Sequence, residues 1–194
     1  MARQGRPLDM TTLAASRTSD RRTVLLVWHS RTGLAQQMAD CLEEGARAAA
    51  EEMEAPLRIN KKPASDANVS DMLDADGFIF CAPENLASTS GEMLEFFHRN
   101  FYHLFADKNG DEISLILGRP YALAVAAGND GSNAAQQMTR ICQGWRLRPV
   151  AEPFVHRNGL PQRAADVLSP KVLQPAACMQ CKELGGLVAA TLLL

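Results

Sequence analysis

Thr23-Val24-Leu25-Leu26-Val27-Trp28-His29-Ser30-Arg31-Thr32-Gly33-Leu34-Ala35-Gln36-Gln37-Met38 is the stretch that decides the fold. An unbroken apolar run reads as a strand buried on both faces, and it passes through a hydroxyl- and glycine-bearing turn into a segment with helical spacing. The first N–H groups of a helix lack intrahelical partners and carry the positive end of its dipole. A turn lined by Ser30 and Thr32 therefore offers converging donors to an anion, and Gly33 lets the backbone come close. The same residues would also serve as a plain N-cap.

Working outward, Leu34, Met38, Leu42, Gly45, Ala49 and Met53 recur on one helical face, with Glu43, Glu44, Glu51 and Glu52 off it. The following residues predict a strand over 56–60, a short helix over 66–73 and a continuous apolar strand over 77–82. A long helix starts at Ser90 with Met93, Phe97, Phe101 and Leu104 on one face, and a polar, turn-forming stretch occupies 107–111. Further expectations are a strand over 121–127, a helix over 132–145, a strand over 147–155 and a terminal helix with Ala177, Cys181, Leu184, Val188 and Leu192 on one face. Pro149 and Pro153 put the last strand at an edge, because proline has no N–H for a central ladder.

Strands alternating with helices imply a doubly wound, five-stranded parallel sheet inside a three-layer α/β/α sandwich. Right-handed crossovers bring every strand's carboxyl end to one side. In the order 2-1-3-4-5, the switch point lies between the first and third strands. The bends at 29–35, 83–90 and 127–131 should then converge on one crevice.

The chain of 194 residues suits one domain over 23–194, preceded by an Arg-, Ser- and Thr-rich leader over 1–22 that is expected to be disordered; Met10 is a possible alternative start. A net charge of −2 and scattered basic residues disfavour a nucleic-acid partner. No apolar stretch reaches the roughly 20 residues that span a bilayer, so no membrane partner is expected and the chain reads as cytoplasmic. Five cysteines at irregular positions do not form a disulfide framework and fit a reducing compartment. Cys178 and Cys181 have a redox-motif spacing but fall inside the terminal helix, where packing is the expected role. The four histidines show no metal-ligand spacing, and neither a nucleotide-binding G-x-x-x-x-G-K-[ST] or G-x-G-x-x-G loop nor a G-x-S-x-G hydrolase elbow occurs.

The second bend, Ala82 to Met93, is longer and more polar than a strand-to-helix connection requires. Its Pro83 and following polar residues can present backbone groups to a flat heterocycle, with Leu86 and Ala87 as apolar cover. The third bend, Ala127-Gly128-Asn129-Asp130-Gly131-Ser132, has two glycines that permit close approach, or a plain turn.

Taken in series, His29 to Gly33, Ala75 to Leu86, Gly118 to Ala122, Ala127 to Gly131 and Gly144 to Leu147 resemble the flavodoxin-like proteins of the NAD(P)H-dependent FMN reductase and quinone reductase group. The resemblance implies that Ser30, Arg31, Thr32, Gly33, Leu34 and Ala35 hold the phosphate of FMN. Pro83, Glu84, Asn85, Leu86, Ala87 and Ser88 would lie along the isoalloxazine, and Gly128, Asn129, Asp130 and Gly131 would meet its pyrimidine edge. It also implies NAD(P)H as co-substrate, a quinone or similar small-molecule electron acceptor, no catalytic acid or base, and a homodimer or homotetramer. Glu84, Asn129 and Asp130 are candidates for tuning the ring, and His29 for touching the ligand.

Two departures from the family pattern stand out. Ala35 replaces a common second threonine, removing a hydrogen bond worth about 1.5–3 kcal/mol to a charged group, and Arg31 is positioned in sequence to compensate. No Trp or Tyr occurs in the second or third bend, so a flavin face would stay open to a stacking hydride donor. That favours an enzyme over the alternatives, an electron carrier or a non-redox binding module.

Overall fold

The computed structural model describes residues 21–194, and the leader expectation and Met10 lie outside them apart from Arg21 and Arg22. Those two residues belong to the folded domain instead. Arg22 pairs with Leu57 in the first ladder and Arg21 donates to the Leu57 carbonyl at 2.8 Å, so the domain begins earlier than the apolar run.

In chain order the elements are β1 (Arg22–Trp28), α1 (Leu34–Glu52), β2 (Leu57–Pro63), α2 (Val69–Asp74), β3 (Gly77–Asn85), β4 (Ser88–Thr89) and α3 (Gly91–Phe101). A single 3-10 turn, Tyr102–Leu104, leads into β5 (Phe105–Lys108) and β6 (Asp111–Ser114). Then follow β7 (Pro120–Ala127), α4 (Ser132–Gly144), β8 (Arg148–Pro149), β9 (Phe154–Arg157) and α5 (Pro175–Leu193). The main sheet runs β2-β1-β3-β7, with β8 and β9 both on the far side of β7 and every one of these pairings parallel. This is the expected switch between the first and third strands, in a flavodoxin-like three-layer sandwich.

Burial follows the sequence. All eight residues of β7 are buried, as a central strand covered on both faces requires, whereas edge strand β2 carries Lys61 and Lys62 at half-buried positions. Lys61 is held by Asp40 at 2.7 Å and Glu43 at 2.6 Å, which raises its pKa against the opposing cost of its burial and lowers that of Glu43.

The expected strand over 147–155 is two pieces. Pro149 and Pro153 each lack a ladder donor, so the chain leaves β7 between them, with Val150 N–H still donating to the Tyr121 carbonyl at 2.9 Å. The short helix starts three residues later than expected. The Asn68 side chain accepts from the backbone of Ser70 and Asp71, while Asp71 accepts from Asn68 N–H, a reciprocal cap that fixes the start. The stretch around 107–111 is the tip of the β5–β6 hairpin, turning through Asn109 and Gly110 at φ 59° and 88°.

The two sides of the sheet are packed differently. Against α2, α3 and α4 stand large rings: Phe80 lies 5.4 Å from Phe97 and 6.3 Å from Trp145, all fully buried, and Trp145 Nε1 donates to the Phe101 carbonyl. The other side, under α1 and α5, is built from Val, Leu, Ala and Cys with Met38 and Ile79, and no ring among its fully buried side chains. There Gly45 and Gly185 bring the two helices into backbone contact. A Cβ added at Gly45 would lie 2.0 Å from the Lys182 carbonyl oxygen, and one at Gly185 would lie 2.0 Å from that of Leu42.

This intimacy corrects the cysteine expectation. Cys41 on α1 and Cys178 on α5 are 5.5 Å apart at Cα and form a disulfide. Irregular sequence spacing conceals the pair because their contact depends on how two helices 137 residues apart cross. Cys178 is thus more than a packing residue, while Cys81, Cys142 and Cys181 are buried free thiols whose pKa values burial pushes up, that of Cys181 to about 12.

Candidate functional site

The three bends meet at the carboxyl edge of the sheet, and side chains tie them together. The first bend leaves β1 with His29 N–H donating to the Cys81 carbonyl at 3.0 Å and enters α1 through Gly33, whose φ of 83° is a left-handed conformation that suits glycine. No side chain caps the N-terminus of α1. Ser30 Oγ is buried without a hydrogen-bond partner, which is costly unless a ligand or water supplies one. An anion seated here would meet both that hydroxyl and the free amides of the first turn.

Around this point Arg31 is exposed and Thr32 half-buried, while the side chains of Leu34 and Ala35 are core residues. Leu34 and Ala35 therefore would offer a ligand only their backbone N–H groups.

The second bend is a tight hairpin. β4 folds back on β3, pairing Glu84 with Thr89 and Asn85 with Ser88, and the two residues between, Leu86 and Ala87, both take positive φ at 52° and 55°. Such a turn normally selects Asn or Gly, so two side-chain-bearing residues here hold the backbone in a strained form that projects Leu86 wholly into solvent. Gln137 of α4 supports the base of the hairpin, its side-chain oxygen accepting from Ser88 Oγ at 2.9 Å and Thr89 N–H at 3.0 Å.

The third bend is anchored to the second. Gly131, at φ 72°, donates its N–H to Glu84 Oε2 at 3.0 Å. Glu84 is thus committed to the scaffold, and Asp130 is engaged by the Ser132 hydroxyl and by Arg157 at 3.7 Å. Asn129 remains exposed.

Two features escaped sequence reasoning. The segment after β9 crosses the crevice: Lys171 N–H donates to the Thr32 carbonyl at 2.9 Å and Gln162 packs where a Gly128 Cβ would stand. Gln37 locks this crossing by donating to the Gly33 and Lys171 carbonyls and accepting from Leu173 N–H. Only Pro161 and Pro170, which disfavour a regular element there, and Pro175, which opens α5, hint at it in the sequence. The second is His156 on β9, whose Nε2 is buried without a partner and whose pKa burial lowers.

His29 opens the first bend, and its ring is turned toward the second. Its Nδ1 is 3.0 Å from Ser90 Oγ and its Nε2 is 3.4 Å from Glu92 Oε1. Burial lowers its pKa most strongly, Glu92 opposes the shift and the charge of Arg31 reinforces it.

Among the described residues no helix is long and apolar enough to cross a membrane. In fold the chain is similar to the flavodoxin of Megasphaera elsdenii in its two-electron reduced form, with 20% identity over 86% of this chain and 98% of that one and a TM-score of 0.59. It is also similar to a Streptococcus pneumoniae flavodoxin, at 15% identity, 87% and 99% coverage and a TM-score of 0.62. A WrbA-like flavodoxin from Agrobacterium tumefaciens gives 12% identity, 88% and 97% coverage and a TM-score of 0.61. No curated protein matches the chain in sequence. The family model for NADPH-dependent FMN reductase matches residues 29–159, a span that takes in all three bends and most of the sheet, and the chain therefore belongs to that family.

Proposed function

We propose that this chain binds FMN in the crevice and passes a hydride from NADH or NADPH through it to a quinone or similar small acceptor. The observation that carries the reading is the buried, unpartnered Ser30 hydroxyl at the uncapped start of α1, a donor set that suits a phosphate monoester. Ser30, Arg31, Thr32 and Gly33 would hold the phosphate together with the amides of Leu34 and Ala35. Pro83 to Ser88 would line one side of the ring system, and Gly128 to Gly131 its polar edge.

When bound, FMN supplies the two-electron transfer chemistry. The chain's own residues position and enclose. Glu84, spent on Gly131, holds the second and third bends at a fixed separation, and Leu86 adds apolar surface at the rim. No side chain here is required as a general acid or base. No Trp or Tyr in these bends would cover a flavin face, which favours the reductase over a carrier. The same reading takes the working form as a homodimer or homotetramer.

Titrating FMN into the wild-type protein and the Thr32→Ala variant tests the assignment. Loss of one hydrogen bond to a charged group, worth about 1.5–3 kcal/mol, should weaken FMN about 10- to 150-fold. Unchanged affinity would remove the first bend from the phosphate site. Bleaching of the yellow colour by NADPH or NADH tests the redox half: colour without bleaching makes the protein a carrier, and no uptake of FMN ends the reading.

A further inference from the structure

We infer that His29 is a positioning residue that joins the phosphate bend to the ring bend, so that a ligand touching both meets one rigid unit; this rests on the FMN reading above. Ser90 is the N-cap residue of α3, yet its hydroxyl makes no capping bond. A serine there normally accepts from an amide of the first helical turn. Here the fully buried Ser90 Oγ is given instead to His29 Nδ1 at 3.0 Å, across a sequence separation of 61 residues.

The arrangement has a definite polarity. Glu92 Oε1 at 3.4 Å from Nε2 favours the tautomer that carries its proton on Nε2, leaving Nδ1 to accept from the Ser90 hydroxyl. Ser90 in turn closes the second bend, its N–H donating to the Pro83 carbonyl at 3.1 Å and its carbonyl accepting from Leu94 N–H at 2.9 Å. His29 is also bonded through its own N–H to the Cys81 carbonyl of β3 and is adjacent to Ser30 in the chain. A displacement of Ser30 is therefore carried by one imidazole to the residue that closes the second bend. The charged groups that bear on the ring are Glu92 from α3 and Arg31 from its own bend.

A link between bends has a signature that a local structural role lacks. A ligand held by the first bend alone should not feel its loss, whereas a ligand spanning both should. The experiment measures the affinities of FMN and of inorganic phosphate for wild type, His29→Ala, His29→Asn and Ser90→Ala, each checked for folding by thermal unfolding. Losing a hydrogen bond of about 1 kcal/mol predicts FMN about 5-fold weaker in His29→Ala and in Ser90→Ala, with no further loss in the double variant and phosphate affinity unchanged. Asn places a polar atom near the Nδ1 position, so His29→Asn should recover most of the FMN affinity.

Equal loss of FMN and phosphate in His29→Ala would overturn the inference, because His29 would then only shape its own bend. So would unchanged FMN affinity in both alanine variants, or additive losses in the double variant. Failure of FMN or phosphate to respond to Thr32→Ala would instead count against the site itself, which separates the two readings.

Discussion

The two sides of the sheet hold the crevice by opposite means. Beneath α3 and α4, large rings fill the space and keep backbones apart, with Phe78, Phe80, Phe96, Phe97 and Trp145 all buried. Where α1 crosses α5, Gly45 and Gly185 leave no side chain between the backbones, and carbonyl oxygens approach the facing Cα atoms. A ring-filled layer can adjust by rotamer changes, while a backbone contact has no side chain to move. The first bend rides on the side with the backbone contact, and the strained hairpin, with Leu86 bared, lies over the ring-filled one.

The largest effect expected from breaking this contrast is on the ring side. Phe80→Ala removes the side chain at the centre of the aromatic cluster and should cost about 3–5 kcal/mol, read from denaturant unfolding. Next comes Gly185→Ala, where the added methyl meets the Leu42 carbonyl and the helices must part. A loss of about 3 kcal/mol is expected, and an unchanged midpoint would show that the helices are not in backbone contact. The smallest effect is acid sensitivity, with one histidine tested on each side. His29 faces α3, and His156 pairs across the ladder with Ala126, which packs under α1 and α5.

Both histidines have folded pKa values below the ordinary 6.5 because burial disfavours the charged ring. The unfolded chain therefore takes up protons first, so their contribution to stability is complete above about pH 6.5 and is lost as the pH falls toward the lowered values. Comparing urea midpoints at neutral and mildly acid pH should show a shallower fall in His29→Gln and in His156→Gln than in wild type. An identical fall would assign the acid sensitivity to other groups.

Much of this was legible in the chain because apolar runs and helical stripes are local signals. Strand β3, helix α1 and the order of the three bends follow from residues within a few positions of one another. The split fifth strand was half legible: Pro149 and Pro153 marked an edge, but that two such residues detach the intervening chain from β7 depends on where the ladder donors fall. What escaped depends on pairs distant in sequence. The Cys41–Cys178 bond, the His29–Ser90 contact and the Gln37 lock on Lys171 join residues 61 to 137 positions apart, and nothing in their flanking residues announces a partner. Glu84 and Asp130 look like ligand-tuning groups in sequence because a carboxylate in a bend is conspicuous, yet each already has a partner within the protein.

The bond between Cys41 and Cys178 closes a covalent circuit that contains β2, β3, β7, β8 and β9 but not β1, which nonetheless lies between β2 and β3. A peptide cut anywhere inside that circuit leaves both pieces tethered. A cut between Ser30 and Cys41 instead leaves the fragment that bears β1 and Ser30 with no covalent tether, held only by its pairing with β2 and β3.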